Sequence, residues 1–434
     1  VASALSVWMN GEHVGRWAFA SGAQEFSYEE SWIASPTARP VSLSMPLRPA
    51  EHAYKGTEVE TFFENLLPDN RLIRERLQRR FQTPSTRAFD LLAEIGRDCV
   101  GALQLLPEGD KPRNVKQIKG EPLTDTDVER VLSATLSPGA LGRQDNGDTD
   151  FRISLAGAQE KTAMLWHANR WQKPLGATPT THIFKLPIGT AHTGIDLSTS
   201  VENEWLCAEI VRAYGIEIAR CAVETFGQYK VLVVERFDRR LADDGSWWVR
   251  LPQEDLCQAT GTPPALKYEN DGGPGIRRIM ELLLGSTQPA ADRRNFLRTQ
   301  IVFWLLCAID GHAKNFSLFL LPQGDYRLTP RYDVLSAYPV LGHGVGKLHP
   351  RKVKMAMAAE GTSRHYHWEK ILRRHWIETA RRCGMQDEIE PIIEELIAAT
   401  PQALATASGN IPKGFPAAVA DSILNGVEAA AKRL

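Results

Sequence analysis

The feature that most constrains this chain is an apolar run, I-V-F-W-L-L-C-A-I at residues 301–309, that stops abruptly at the polar stretch D-G-H-A-K-N-F-S. Nine apolar residues fall far short of the roughly 20 that a helix needs to span a bilayer. The run therefore predicts the end of a helix over about 292–309, buried in the core of a sizeable domain. A loop at the end of a buried helix is held rigidly, so residues 310–315 are a place where polar side chains can be presented in fixed positions.

A chain of 434 residues can bury such a core, and its length suggests two or three domains. Hydrophobic content of 43% and charged content of 24% are ordinary for a globular protein. The net charge of −1 gives no whole-molecule field toward nucleic acid or membrane, so any basic surface must be local. Cys99, Cys207, Cys221, Cys257, Cys307 and Cys383 are scattered without a C-x-x-C pair. That spacing argues against a zinc site or a disulfide framework and fits a reducing compartment. The first residues, V-A-S-A-L-S-V-W-M-N, lack the basic start and apolar core of a secretory signal, so the expected location is cytoplasmic, with no membrane partner.

Patterning along the chain divides it into four parts. Residues 1–110 read as a small β-rich module, with a hairpin over 5–19 turning at Asn10-Gly11 and helical spacing over 62–81 broken at Pro68. Residues 111–150 form a polar linker holding one short helix, where Thr126 and Glu129 match a capping box. Residues 151–250 carry strand signals at 161–166, 181–186 and 229–234, with a helix over 201–214 closed by Gly215. Residues 251–434 are mostly helical, at 277–284, 292–309, 367–382, 388–399 and 417–434. The fold class expected is α+β: a β-rich lobe followed by a helical lobe, with nucleotide in the cleft.

The loop at 310–315 supplies the chemistry. An Asp followed five positions later by Asn is the spacing of the protein-kinase catalytic loop, where the Asp faces a nucleophilic hydroxyl and the Asn reaches a metal. Asp333 in P-R-Y-D-V follows a strand-like segment and completes an oxygen set suited to Mg2+, although no Phe-Gly follows it. As a bland alternative, Asp310 and Asn315 form a polar helix cap and Asp333 caps a turn. Lys185 lies inside the apolar strand T-H-I-F-K-L-P, where a Lys needs a partner; in kinases that partner set is ATP phosphates and a helix glutamate. Glu202, Glu204 and Glu209 are on the next helix; an edge-strand Lys reaching to solvent is the alternative. The loop S-L-A-G-A-Q-E-K has one glycine flanked by alanines, so backbone N–H groups could approach phosphate, but it also suits an ordinary tight turn. V-L-V-V-E-R-F-D is a buried strand leaving into charge, where backbone groups could meet adenine. L-P-Q-E-D-L-C-Q opens a helix whose acidic residues the helix dipole explains. From 347 to 382 there are ten Lys or Arg and three Glu, a patch that could meet nucleic-acid phosphates or simply be a solvated face.

These motifs in order resemble the HipA family of toxin kinases from bacterial toxin–antitoxin modules. The resemblance covers nearly the whole chain: W-M-N at 8–10, N-L-L-P-D at 65–69, E-I-G-R-D at 94–98, F-R-I-S at 151–154, A-G-A-Q-E-K-T-A, L-P-Q-E-D, K-Y-E-N-D-G-G-P-G-I at 267–276, D-G-H-A-K-N-F-S and Y-D. It implies a protein-kinase-like two-lobed fold with a small β-rich N-terminal module and a mostly helical C-terminal lobe. It implies a serine/threonine protein kinase using ATP and Mg2+, with glutamyl-tRNA synthetase as substrate, causing growth arrest and persistence. Asp310 would be the catalytic base, and Asn315 and Asp333 would hold Mg2+. The ATP site would include Ala156, Gly157, Ala158, Gln159, Glu160, Lys161, Lys185, Glu235, Phe237, His312 and Tyr332, with Glu204 as partner of Lys185. The resemblance further implies autophosphorylation of Ser154 as an off-switch and neutralisation by a HipB-like helix-turn-helix antitoxin dimer. With that partner the toxin would repress its operon. Operator DNA would be touched through the complex, with Arg381 and Arg382 as candidate contacts; Gly384 stands where the family carries another Arg. A small-molecule or lipid kinase, and a nucleotide-binding corepressor without catalysis, are the other readings.

Overall fold

The computed structural model describes residues 4–20, 23–136, 154–156, 159–191 and 194–434. They form two compact units. The first comprises Val1–Leu186, Glu224–Ala265 and Leu318–Tyr326; the second comprises Pro187–Val223, Leu266–Ser317 and Arg327–Leu434.

The first unit begins with the expected hairpin. Strands Ala4–Met9 and Glu12–Ala20 pair antiparallel, and the turn between them puts Asn10 at φ 49° and Gly11 at φ 89°. Positive φ at both central residues is the type I′ requirement, which Asn-Gly meets at little steric cost. Ala23–Tyr28 and Tyr54–Lys55 extend this antiparallel sheet on one side, and Leu103–Pro107 on the other. Helices Thr57–Glu64, Arg71–Phe81 and Ala88–Ile95 contribute to the same core, and the chain breaks between the first two, around Pro68, as the sequence suggests. Trp17 stacks on Phe63 with centroids 3.7 Å apart, and both are fully buried beside Phe26, Phe62 and Phe89. Each such side chain contributes roughly 1.5–3 kcal/mol through burial.

Five strands of a second sheet in this unit run in the order Tyr229–Glu235, His182–Lys185, Lys161–His167, Arg170–Pro174, Gly120–Pro122. The helix Asp125–Leu136 lays Val128 and Leu132 against Met164, Phe184 and Val231. Its cap lies two residues before the expected pair. Thr124 and Asp127, not Thr126 and Glu129, exchange the capping hydrogen bonds, at 2.9 Å and 3.2 Å, because the helix starts at Asp125. L-P-Q-E-D-L-C-Q is also corrected. Residues Gln253–Asp255 are a strand, Asp255 caps the short helix Leu256–Ala259, and Glu254 is fully buried instead of sitting in a helical first turn.

The second unit is helical, with Ser200–Ala213, Ile276–Leu282, Pro289–Leu305, Arg373–Arg382, Gln386–Gly409 and Ala417–Ala431. Gly215 follows the first of these at φ 74°, as its C-terminal signal requires. The helix expected over 367–382 starts only at Arg373; residues Arg364–His367 pair as a strand with Lys354–Glu360. The helix expected over 388–399 runs on to Gly409, through Pro391 and Pro401. Ile389, Ile392, Ile393, Leu396, Thr400, Ala403 and Ala407 form a buried stripe at helical spacing, and packing of that stripe outweighs the local cost of proline.

Candidate active site

The central helix Pro289–Leu305 is enclosed by protein over its last two turns, where Ile301, Val302, Phe303, Trp304 and Leu305 are all buried. The chain then reverses at Cys307, whose φ of 48° places it in the left-handed region. Asp310 follows within three residues. Its carbonyl accepts from the backbone N–H of His312 at 2.8 Å and from Nδ2 of Asn315 at 2.7 Å. Asn315 is buried, and the donor half of its amide is spent on this loop, which leaves Oδ1 as the atom suited to a hard cation. Gly311 is required here because a Cβ at that position would lie 2.6 Å from the Phe303 ring. The side chain of Asp310 remains 55% exposed, and Nε2 of His312 lies 4.0 Å from its Oδ1.

Asp333 is bracketed on both sides. The hydroxyl of Tyr332 donates to the carbonyl of Lys314 at 2.9 Å, tying this segment to the turn that carries Asn315. Ser336 exchanges two hydrogen bonds with the Asn203 side chain, at 2.8 Å and 2.7 Å, and its hydroxyl reaches the Leu306 carbonyl at the end of the central helix. Asp333 itself has a φ of 61°. A non-glycine residue held in that region costs free energy and persists only where its surroundings fix it, as they do here. The second unit thus brings Asp310, His312, Asn315, Tyr332 and Asp333 onto two linked segments. Glu202 and Glu204 are buried on the helix Ser200–Ala213 of the same unit.

The remaining expected nucleotide residues belong to the first unit. Lys185 is buried in its sheet, and its direct cross-strand neighbour is Lys161. Gln159 donates to the Leu186 carbonyl, the Leu186 N–H donates to the Glu160 carbonyl at 3.1 Å, and Glu160 pairs with Arg76. Ala156 precedes this anchored segment; Gly157 and Ala158 lie outside the described residues. Glu235 ends its strand opposite His182 and is exposed, and Phe237 packs edge-on against Phe319.

Between Glu235 and Phe237 the sequence reading missed a buried ionic cluster. Arg236 forks onto Asp238 at 2.9 Å and 2.8 Å, and Arg239 and Arg250 reach Asp98 Oδ1 at 3.0 Å and 3.2 Å. Thr180 donates its N–H and hydroxyl to Asp98 Oδ2, at 3.0 Å and 2.7 Å, and Gly101 donates to Asp238. Burial alone would raise the Asp98 carboxyl, but Arg239, Arg250 and Arg236 hold it well below the usual range; the same competition brings Asp238 down to about 2. Burial and the neighbouring Arg236 bring Arg239 down to about 10. The only available signal was the alternation of charge in E-R-F-D beside E-I-G-R-D, 138 residues apart, from Asp98 to Arg236.

Ser154 is fully buried; its hydroxyl donates to the Leu66 carbonyl at 2.7 Å and its N–H to the Asp98 carbonyl at 3.2 Å. Phe151, Arg152 and Ile153 of its motif lie outside the described residues. Arg381 forks onto Glu378, and Arg382 joins Glu378 and Glu360, so part of the basic run is already matched by carboxylate.

Residues 153–404 match the HipA-like C-terminal domain, and residues 5–106 match the HipA N-terminal domain. This chain belongs to the HipA family. Y4mE of Sinorhizobium fredii, named as a candidate kinase, is 33% identical over 365 residues, covering 82% of this chain and 83% of its own. The serine/threonine-protein kinase toxin HipA of Shewanella oneidensis is 27% identical over 338 residues, 74% of this chain and 72% of that one. A solved complex of HipA, HipB and operator DNA from Shewanella oneidensis MR-1 matches with a TM-score of 0.79 at 21% identity, across 99% of this chain and 97% of that one. The α+β, kinase-like fold with its N-terminal sheet module is therefore that of the HipA family. Asp310, Asn315 and Asp333 fall within the matched C-terminal domain, and Asp98 within the N-terminal one, so the ionic cluster joins residues of both HipA domains. Among the described residues, no helix is long and apolar enough to cross a membrane.

Proposed function

We propose that this HipA-family chain is a toxin serine/threonine protein kinase that transfers the γ-phosphoryl group of ATP to a protein hydroxyl. The observation that carries the reading is the loop after the helix Pro289–Leu305, where the Asn315 amide pins the Asp310 backbone while the Asp310 carboxylate stays 55% exposed. Asp310 takes the proton of the attacking hydroxyl. Asn315 Oδ1 and the Asp333 carboxylate are hard oxygen donors of the kind that hold Mg2+, which when bound neutralises charge on the phosphates. Lys161 and Lys185 bind phosphate oxygens, while Glu235 and Phe237 offer backbone groups to adenine. Catalysis is then mainly positioning and electrostatics.

The finer reading has a serine of glutamyl-tRNA synthetase as acceptor, growth arrest and persistence as the result, and a HipB-like antitoxin dimer on operator DNA as the controlling partner. The kinase toxin among the relatives supports the toxin kinase, and the HipA–HipB–DNA complex supports the HipB-like partner and operator DNA; the acceptor and the persistence rest on the family resemblance. Autophosphorylation of Ser154 fits as an off-switch. Its hydroxyl faces a carbonyl oxygen, so a phosphate dianion could not reoccupy that seat and the segment would have to move. The test is incubation with labelled ATP, Mg2+ and glutamyl-tRNA synthetase, followed by phosphopeptide mass spectrometry. Wild type should label the synthetase and Ser154, and Asp310→Gln should label neither. Transfer that survives this substitution would sink the assignment of Asp310.

A further inference from the structure

The segment K-Y-E-N-D-G-G-P-G-I, residues 267–276, has no role in the reading above, yet it forms one wall of the catalytic loop. The segment is fixed at three points, two through its backbone and one through a side chain. The Lys267 carbonyl accepts from the N–H of Ala313, inside the loop, at 3.3 Å. The Tyr268 carbonyl accepts from Asp271 at 3.0 Å and Gly273 at 2.9 Å. The buried Glu269 carboxylate accepts from the N–H of Ala358 at 2.7 Å and lies 3.5 Å from Arg364. Tyr268, held between these anchors, meets the His312 ring edge-on with centroids 5.0 Å apart, and its phenol donates to Oδ1 of Asp310.

An ionised carboxylate accepts through two oxygens. Tyr268 and His312 both address Oδ1, and no described residue donates to Oδ2. We infer that Tyr268 is a positioning residue for the phosphoryl acceptor, holding Oδ1 of Asp310 so that Oδ2 faces the substrate hydroxyl. The inference rests on the kinase reading. In the step it serves, the acceptor oxygen forms its bond to the γ-phosphorus, the bond from that phosphorus to the bridging oxygen of ADP breaks, and the hydroxyl proton passes to Oδ2. A carboxylate on a half-exposed loop has free rotation about χ2 unless something holds it. A charge-assisted hydrogen bond from a ring on a separately anchored segment supplies that restraint.

Tyr268→Phe tests this, because it keeps the ring against His312 and removes only the phenolic oxygen. Steady-state transfer to a protein acceptor should show kcat reduced about tenfold or more, the loss expected for one hydrogen bond to a charged group. KM for ATP should stay within about twofold, and the melting midpoint should not move. A kcat equal to wild type would overturn the proposal by showing that only ring packing matters. A raised kcat would also overturn it, since the phenol would then be a competitor for the acceptor's place on Asp310. Wild type run alongside separates the two readings: absence of transfer by wild type removes the kinase reading and this inference together, whereas an active wild type with an unaffected Tyr268→Phe removes the inference alone.

Discussion

Two aspartates, one in each unit, live in opposite surroundings. Asp98 lies in a dry cluster where three guanidinium groups face two carboxylates, and almost every polar atom has a fixed partner. Asp310 lies on a loop held by hydrogen bonds to its backbone, with Oδ1 of its carboxylate taking one phenol hydrogen bond from Tyr268 and the side chain more than half exposed. The first arrangement builds structure; the second is the one that the proposed kinase reading uses for chemistry. A carboxylate saturated by Arg is too stable as an anion to accept a proton, while one kept open can. The cluster also fixes the exit of the strand Tyr229–Glu235, so Glu235 and Phe237 alternate with the buried Arg236 and Asp238.

The contrast can be broken most severely at Asp98. Asp98→Asn leaves the excess of buried guanidinium charge larger, and should cost about 3–5 kcal/mol in urea unfolding. A cost under about 1 kcal/mol would mean that packing, not charge, holds this region. Gly311→Ala should act on the other side of the comparison. Its methyl would sit 2.6 Å from the Phe303 ring, so about 1–3 kcal/mol of stability and most phosphotransfer should be lost together.

Three buried acids should respond to pH, in two opposite senses. Asp98 and Asp238 have depressed folded values, so their contribution is complete above about pH 4 and is lost as pH falls toward about 2. Glu254 behaves in the opposite sense. Burial lifts it from 4.5 to about 8 despite hydrogen bonds from Ser42 and Leu43. Its favourable term is present below pH 4.5 and is lost as pH rises through about 8. Glu254→Gln should therefore flatten the alkaline side of the stability curve, a change of roughly a few kcal/mol, and leave the acid side as it is. The smallest effect is expected at Arg381, an exposed partner of Glu378. Arg381→Ala should leave the melting midpoint unchanged within error, and if the residue touches operator DNA phosphate, binding should weaken modestly with a shallower salt dependence.

Local features followed directly from neighbouring residues. Asn10-Gly11 dictated the hairpin turn, the apolar run at 301–309 dictated a buried helix end, and D-x4-N after it dictated the loop that pins Asp310 to Asn315. Those depend on residues a few positions apart, where spacing and backbone preference suffice. The strand at Arg364–His367 and the passage of one helix through two prolines were not legible, because packing decided them, whereas the cap at Thr124 is a local, exposed pairing with Asp127 that the T-D-T-D repeat left ambiguous by two residues. The pairing of Lys161 with Lys185, the Asp98 cluster and the grip of Tyr268 on Asp310 were decided only by tertiary structure. Each joins segments tens to hundreds of residues apart, and a buried charge or phenol has no meaning in sequence until the fold removes water and selects its partner.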